Sequence, residues 1–425
     1  MTTRLNPRTV LLDSFHAALA AADPLRVVPR HLPAPPRGRT LVVGGGKAAA
    51  SMATAVEAHW PADTPLSGLV VTRYQHSVPT RRIAVVEASH PLPDGQGETA
   101  ALRMLDMAAQ LGEDDLLLAL ISGGGSSLLA APVEGVTLKA LRQVTKALLH
   151  AGAPIHDINT VRKHLTRFSG GQLALAAPTT PALALIVSDV VGDDPTHIAS
   201  GPCAPDPSTC ADALERLAHF GIPLPPGVRN ALDACVADPR RDTPKPGAPC
   251  FLHKENRIVA AAHDSLEAAC QVFERHGIQA VILSERISGD AQTVARQHAA
   301  LARACKPGKP LALISGGETT VTLPSQHGRG GRNTEYLLAL ALAMQDMAVW
   351  AIACDTDGID GSEDNAGAII TPDTGRRAQR HGIAASAFLA THDSHGFFSR
   401  LGDLVQTGPT RTNVNDYRAM LIGLD

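Results

Sequence analysis

The stretch TLVVGGGKAAASMATAVEAH (40–59) is a short aliphatic run, then three glycines and a lysine, then an alanine-rich segment. The first part suits a buried strand and the last a helix, so the whole reads as one βα unit of a parallel sheet. The same order recurs from the aliphatic runs at 116–121 and 183–187, and again at 280–283, 311–314 and 349–353. Between the two sets lies a proline cluster (Pro223, Pro225, Pro226, Pro239, Pro244, Pro246, Pro249), which breaks helices and strands and suits a linker. The expected fold class is α/β, with two Rossmann-like three-layer α/β/α domains, mainly parallel sheets and a boundary near 245, giving domains 1–245 and 246–425. LLLALISGGGS (116–126) and PLALISGGETT (310–320) echo each other across that boundary.

Bulk properties narrow the partners. A chain of 425 residues with 44% hydrophobic content can bury two or three cores. Its formal charge of −3 lacks the basic footprint that nucleic acid or an anionic membrane requires, so small molecules are the expected ligands. Seven scattered cysteines without a CxxC pair predict free, incidental thiols and a reducing, cytoplasmic setting. Leu11, Phe15, Ala18 and Ala22 recur at helical spacing, which predicts an amphipathic first helix rather than a secretory leader. The apolar stretch 336–354 is split by Gln345 and Asp346, and no membrane span is expected.

The loop Gly44, Gly45, Gly46, Lys47 follows a strand and precedes a helix, which makes it a candidate anion site. A Walker A loop is excluded, because Leu41 stands where its first glycine belongs and Ala48 where Ser/Thr belongs. A dinucleotide fingerprint, Gly44-x-Gly46-x-x-Ala49, remains open; no acidic residue follows the next strand, but Arg73 is placed to accept a 2′-phosphate. The second loop, Ser122, Gly123, Gly124, Gly125, Ser126, Ser127, again follows an aliphatic strand and adds hydroxyls suited to a polyphosphate. A dehydrogenase needs one such loop. Two suggest a nucleoside triphosphate and an anionic substrate.

Carboxylates follow two other strands. Asp189 and Asp193 stand after 183–187 as candidate Mg²⁺ ligands, with Asp189 also a candidate base. Asp355, Asp357, Asp360, Glu363 and Asp364 follow 349–353 in a spacing that fails the calcium-loop pattern, and one or two of them could orient a substrate hydroxyl. GRGGRNTE (328–335) puts Arg329 and Arg332 in a glycine-rich turn, where arginine forks suit carboxylate or phosphate. His90, in SHPLPD (89–94), reads as a packing histidine.

Taken in order, VVGGGKAAASM (42–52), SHPLPD (89–94), LISGGGSSLL (120–129), INTVRKHL (158–165), SDVVGDDPTHIASGP (188–202), SGGETTVTL (315–323), GRGGRNTEYLL (328–338), DTDGIDG (355–361) and TGPTRTNVND (407–416) resemble the class II glycerate 2-kinases. The C-terminal half of that family is the domain called MOFRL. The resemblance implies transfer of the ATP γ-phosphate to the 2-hydroxyl of D-glycerate, with Mg²⁺, in a cleft between two α/β domains of a monomer or homodimer. It makes Lys47 and Arg332 the leading catalytic residues, Lys47 on the migrating phosphoryl group and Arg332 on the substrate carboxylate, with Asp189 beside them. Asn333, Glu335 and Asp357 join the two glycine loops as expected nucleotide contacts. Ser169 stands where relatives commonly carry lysine, and Thr334 where glutamine is frequent. An NADPH-dependent hydroxypyruvate reductase is the rival enzyme, since some family members carry that name. A nucleotide-binding regulator is the rival outside catalysis.

Overall fold

The computed structural model describes residues 5–305 and 308–424. The chain forms two compact units: Pro24–Val259 is one, and the chain before and after it together form the other. The division therefore falls beyond the proline cluster, at the end of a strand instead of near 245. The first helix, Pro7–Ala21, belongs with the C-terminal half.

The strands are β1 (Thr40–Gly45), β2 (Leu66–Arg73), β3 (Ile83–Ala88), β4 (Leu116–Ser122), β5 (Ala182–Val187), β6 (Lys254–Ala260), β7 (Gln279–Asp290), β8 (Leu311–Thr320), β9 (Trp350–Asp355), β10 (Gly367–Ile370), β11 (Leu404–Val405) and β12 (Asp416–Ile422). The first sheet has the order β3-β2-β1-β4-β5-β6, and its pairs from β3 through β5 are parallel. This is the doubly wound order, whose switch point lies between β1 and β4. Residues of β1 and β4 are buried along their whole length, as strands covered on both faces must be. Leu41, Val43, Leu117 and Ala119 pack with Met104 and Leu105 of the helix Gly95–Ala108.

The second sheet has the order β11-β10-β9-β12-β8-β7. β7 and β8 are parallel, while β12 runs antiparallel to both β8 and β9, β10 antiparallel to β9, and β11 antiparallel to β10. Four of the six strands share one direction, yet most neighbours are antiparallel because β12 and β10 are inserted against it. The helices Pro7–Ala21 and Ala262–Arg275 cover one face through Leu11, Phe15, Leu266 and Phe273. Tyr336, Leu337 and Phe397 lie on the other.

The expectation of free thiols is corrected at one place. Cys210 and Cys235 form a disulfide between the helices Cys210–His219 and Pro226–Ala237. They lie 25 residues apart with no motif between them, and it is the packing of the two helices that brings them together. The other cysteines are free.

Candidate active site

At the switch point the two glycine loops of the first unit are tied into one platform. Gly44 and Gly46 have φ of 149° and 139°, and a Cβ on either would lie 2.0 Å from Leu120 O or 2.1 Å from Ser122 Oγ. Only glycine permits that approach. The Gly46 N–H donates to Val71 O, Lys47 N–H to Gly123 O at 2.8 Å, Ala48 N–H to Ser122 Oγ at 3.0 Å and Ala49 N–H to Gly46 O.

The first loop is thus corrected as an anion cradle: its N–H groups already have partners, and its effect is to place the Lys47 side chain. Gly44, Gly45 and Gly46 are buried, Lys47 partly exposed. In the second loop Ser122 and Gly123 are likewise buried, while Gly124 (φ 81°) and Ser126 reach solvent. The N–H groups of Gly124, Gly125 and Ser126 have no partner among the described residues, because the short helix Gly125–Leu128 begins there. Ser127 is buried and turns its hydroxyl back to Gly124 O at 3.4 Å.

Three residues outside the expected set meet this loop. His90 packs on it, its ring 2.9 Å from where a Gly124 Cβ would stand and beside the Lys47 stem. Ser126 Oγ lies 2.8 Å from Ser200 Oγ, which in turn donates to Asn159 Oδ1 at 3.2 Å. Ala199, Ser200 and Gly201 are three consecutive left-handed residues, with φ of 49°, 59° and 62°. A non-glycine residue held there costs about 1–3 kcal/mol, and such strain gathers at functional sites. The turn is fixed by Gly170 N–H to Ser200 O and Gly171 N–H to Gly201 O.

Asp189 and Asp193 lie beyond the end of β5, both partly exposed, and Asp193 is left-handed at φ 54°. The adjacent Asp194 serves the turn itself, accepting from Thr196 N–H at 2.8 Å. A separate cluster of His164, Cys210 and Asp242 brings nitrogen, sulfur and oxygen donors together, but the Cys210 sulfur is bonded to Cys235 and is no thiolate.

In the second unit the glycine-rich arginine turn leads into the helix Arg332–Ala343. Arg332 is enclosed by three carboxylates: Asp355 at 2.6 Å, Asp416 at 2.8 Å and Glu318 at 2.8 Å. Burial alone would lower its pKa, but Asp416, Asp355 and Glu318 hold it well above the ordinary arginine value. Its donors are engaged within its own unit, and the clamp on a substrate carboxylate read from the sequence stays a proposal. Arg329 pairs at the surface with Glu363 at 2.8 Å.

The other residues expected as nucleotide contacts have the following partners within their unit. Asn333 is fully buried and donates to Asp416 Oδ1 at 2.8 Å. Glu335 accepts from Gln292 Nε2 at 2.8 Å and contacts His392 Nδ1 at 2.9 Å. Asp357 is 3% exposed and accepts from Ile359 N–H at 2.9 Å. Asp360 caps the helix from a distant loop, accepting from Asn333 N–H and Thr334 N–H, each at 2.9 Å, so the acidic run builds the scaffold.

The chain is similar to known proteins over most of its length. Residues 10–233 match DUF4147, described as a domain of unknown function, and residues 311–416 match the MOFRL family. The chain is 37% identical over 425 residues to D-glycerate 2-kinase of Thermotoga maritima, covering 98% of each chain. It is 37% identical over 388 residues to glycerate 2-kinase of Pyrococcus horikoshii, covering 89% of this chain and 86% of that one. A protein of Agrobacterium vitis with a provisional hydroxypyruvate reductase name is 49% identical over 426 residues, covering 99% and 95%. The crystal structure of Thermotoga maritima glycerate kinase superposes with a TM-score of 0.86 at 35% identity, covering 98% of this chain and 99% of that one. With both family patterns matched and this identity sustained over nearly the full length, the chain belongs to the MOFRL-containing class II glycerate 2-kinase family.

Proposed function

We propose that this protein is an ATP-dependent glycerate 2-kinase, moving the γ-phosphate of ATP to the 2-hydroxyl of D-glycerate to give 2-phosphoglycerate and ADP. The observation that carries the reading is the placement of Lys47 beside the open edge of the glycine–serine loop, at the switch point of a doubly wound sheet. Phosphoryl transfer asks mainly for positioning and charge neutralisation, and a partly exposed ammonium beside unpaired N–H groups supplies both. The relatives named as glycerate kinases support the substrate.

In this reading Gly124, Gly125 and Ser126 receive phosphate oxygens through their N–H groups and the Ser126 hydroxyl. Lys47 neutralises charge on the migrating group. Asp189 and Asp193 are the residues that would hold Mg²⁺, and their hard carboxylate oxygens fit it. Two carboxylates would suffice, since Mg²⁺ is usually held by one or two of them together with phosphate oxygens and water. When bound, Mg²⁺ supplies charge neutralisation at the phosphates. Whichever of the two carboxylates is not engaged can accept the hydroxyl proton. Among the described residues no helix is long and apolar enough to cross a membrane, which agrees with a cytoplasmic enzyme working on small molecules.

One comparison tests the proposal: ADP released with D-glycerate and ATP, set against NADPH consumed with hydroxypyruvate. A kinase gives the first alone. NADPH consumption without ADP release would replace it by the reductase, and neither would leave a regulator.

A further inference from the structure

The segment INTVRKHL has no part in the mechanism so far. It lies on the helix Ile155–Leu165, whose polar residues divide into two groups by the partners they meet. Lys163 and His164 face Asp206 and Asp242: Lys163 Nζ is 3.2 Å from Asp206 Oδ1, and His164 Nε2 is 3.1 Å from Asp242 Oδ1. Those two have structural partners of their own. Asn159 and Arg162, three residues apart, turn toward the glycine–serine loop.

Asn159 reaches the loop through Ser200, as described. Arg162 lines a narrow cavity with Pro93, Ser126, Ser127, Thr145 and Thr166, of about 10 Å³. That is room for one water-sized group. The guanidinium has no ion-pair or hydrogen-bond partner among the described residues, which sets it apart from Arg332. Partial burial pulls its pKa down to about 10, so at neutral pH it remains charged, with no protein carboxylate beside it among the described residues. Arg162 is partly buried and its guanidinium still reaches solvent beside the loop; a half-desolvated cation with no protein counter-charge gains most when a ligand brings one.

We propose that Arg162 completes an oxyanion subsite at the Ser126–Ser127 edge of the loop, pairing with one carboxylate or phosphate oxygen of a bound substrate. The narrow cavity admits an oxygen-sized terminus and excludes a sugar or base. The identity of the substrate rests on the kinase reading; the existence of the subsite does not.

The test compares Arg162→Met, which keeps the volume and removes the charge, with Arg162→Lys, which keeps a charge without the fork. Arg162→Met is expected to lower kcat/KM about 10- to 100-fold, the loss of one or two charge-assisted hydrogen bonds, with an unchanged melting temperature. Millimolar guanidinium chloride is expected to restore part of the loss, and Arg162→Lys to fall between the two. If the D-glycerate KM rises alone, the oxygen belongs to the carboxylate; if that of ATP rises, it belongs to a phosphate. Calorimetric binding of D-glycerate, ATP and inorganic phosphate to each variant reads the subsite without turnover. A wild-type chain that releases no ADP would remove the kinase reading, and the binding arm would still decide Arg162. Affinities and kcat/KM within twofold of wild type would overturn the proposal. So would a loss that follows the melting temperature and is not rescued by guanidinium.

Discussion

The same six residues, ALISGG, occur at 119–124 and at 312–317, and they end differently. In the first unit the strand stops at Ser122 and Gly124 turns into a helix, leaving N–H groups open. In the second, β8 runs on to Thr320, with Gly317 at φ 91° and its pairing to β7 irregular just before it. The next four residues decide the outcome: Gly-Ser-Ser-Leu after one copy, and Glu-Thr-Thr-Val, rich in strand formers, after the other. Where the first copy has Gly125 the second has Glu318, and Glu318 ion-pairs with Arg332. One copy sits beside an unpaired arginine and the other brings its own anion. A glycine run after a strand is therefore an anion site only if the next residues leave its N–H groups and the nearby cation unpartnered.

That contrast can be broken or sharpened by substitution. The largest effect is expected for Arg332→Ala, which takes from the buried Asp355 and Asp416 a shared cation, Arg418 remaining on Asp416, and should destabilise the second unit by about 3 kcal/mol in urea unfolding. A loss below about 1 kcal/mol would show that the carboxylates do not depend on it. Next, Lys47→Ala should raise the barrier by about 3 kcal/mol, a fall of roughly 10²–10³ in kcat, while melting stays put. Near-normal turnover would take Lys47 out of the mechanism.

The second unit also carries an acid-sensitive group. His298 contacts Tyr336 OH, and burial, then Arg418, depress its pKa from 6.5 to about 4. A depressed folded-state pKa contributes stability that is present above 6.5 and is lost as pH falls toward 4. Roughly 2 kcal/mol should disappear between pH 7.5 and 5, and His298→Gln should flatten that slope in pH-dependent melting. The smallest effect is expected for Glu318→Ala. Glu318 is largely exposed, so its pairing with Arg332 should count for under about 1 kcal/mol and turnover should hardly change. A large loss would mean that Glu318, and not only Asp355 and Asp416, sets Arg332.

Both glycine loops, the βα order and Lys47 were legible because they depend on neighbours in sequence. The role of the first loop was not, since its N–H groups are taken by Val71, Gly123 and Ser122, which arrive from other strands. Ala199 and Ser200 carry no glycine to announce a left-handed turn; residues packed around them hold it. Asn333, Glu335 and Asp357 show what a motif leaves unsaid. A motif marks residues that a family keeps together, and here their polar atoms hold a helix, a neighbouring side chain and a loop. Arg162 lies inside INTVRKHL, but spacing alone does not part it from Lys163 and His164; only the positions of Asp206 and Asp242, which arrive from distant sequence, do so.

The first helix has a consequence for synthesis. Ser14 accepts the Tyr417 hydroxyl at 2.7 Å and Phe15 stacks on the same ring at 5.7 Å. Those partners leave the ribosome hundreds of residues apart, so the intervening sheet can form while the helix still waits with Leu11 and Phe15 uncovered. A chain begun at Ala260 would expose the complementary surface of Phe273 and Tyr417. Supplying residues 1–23 as a separate peptide should restore its solubility.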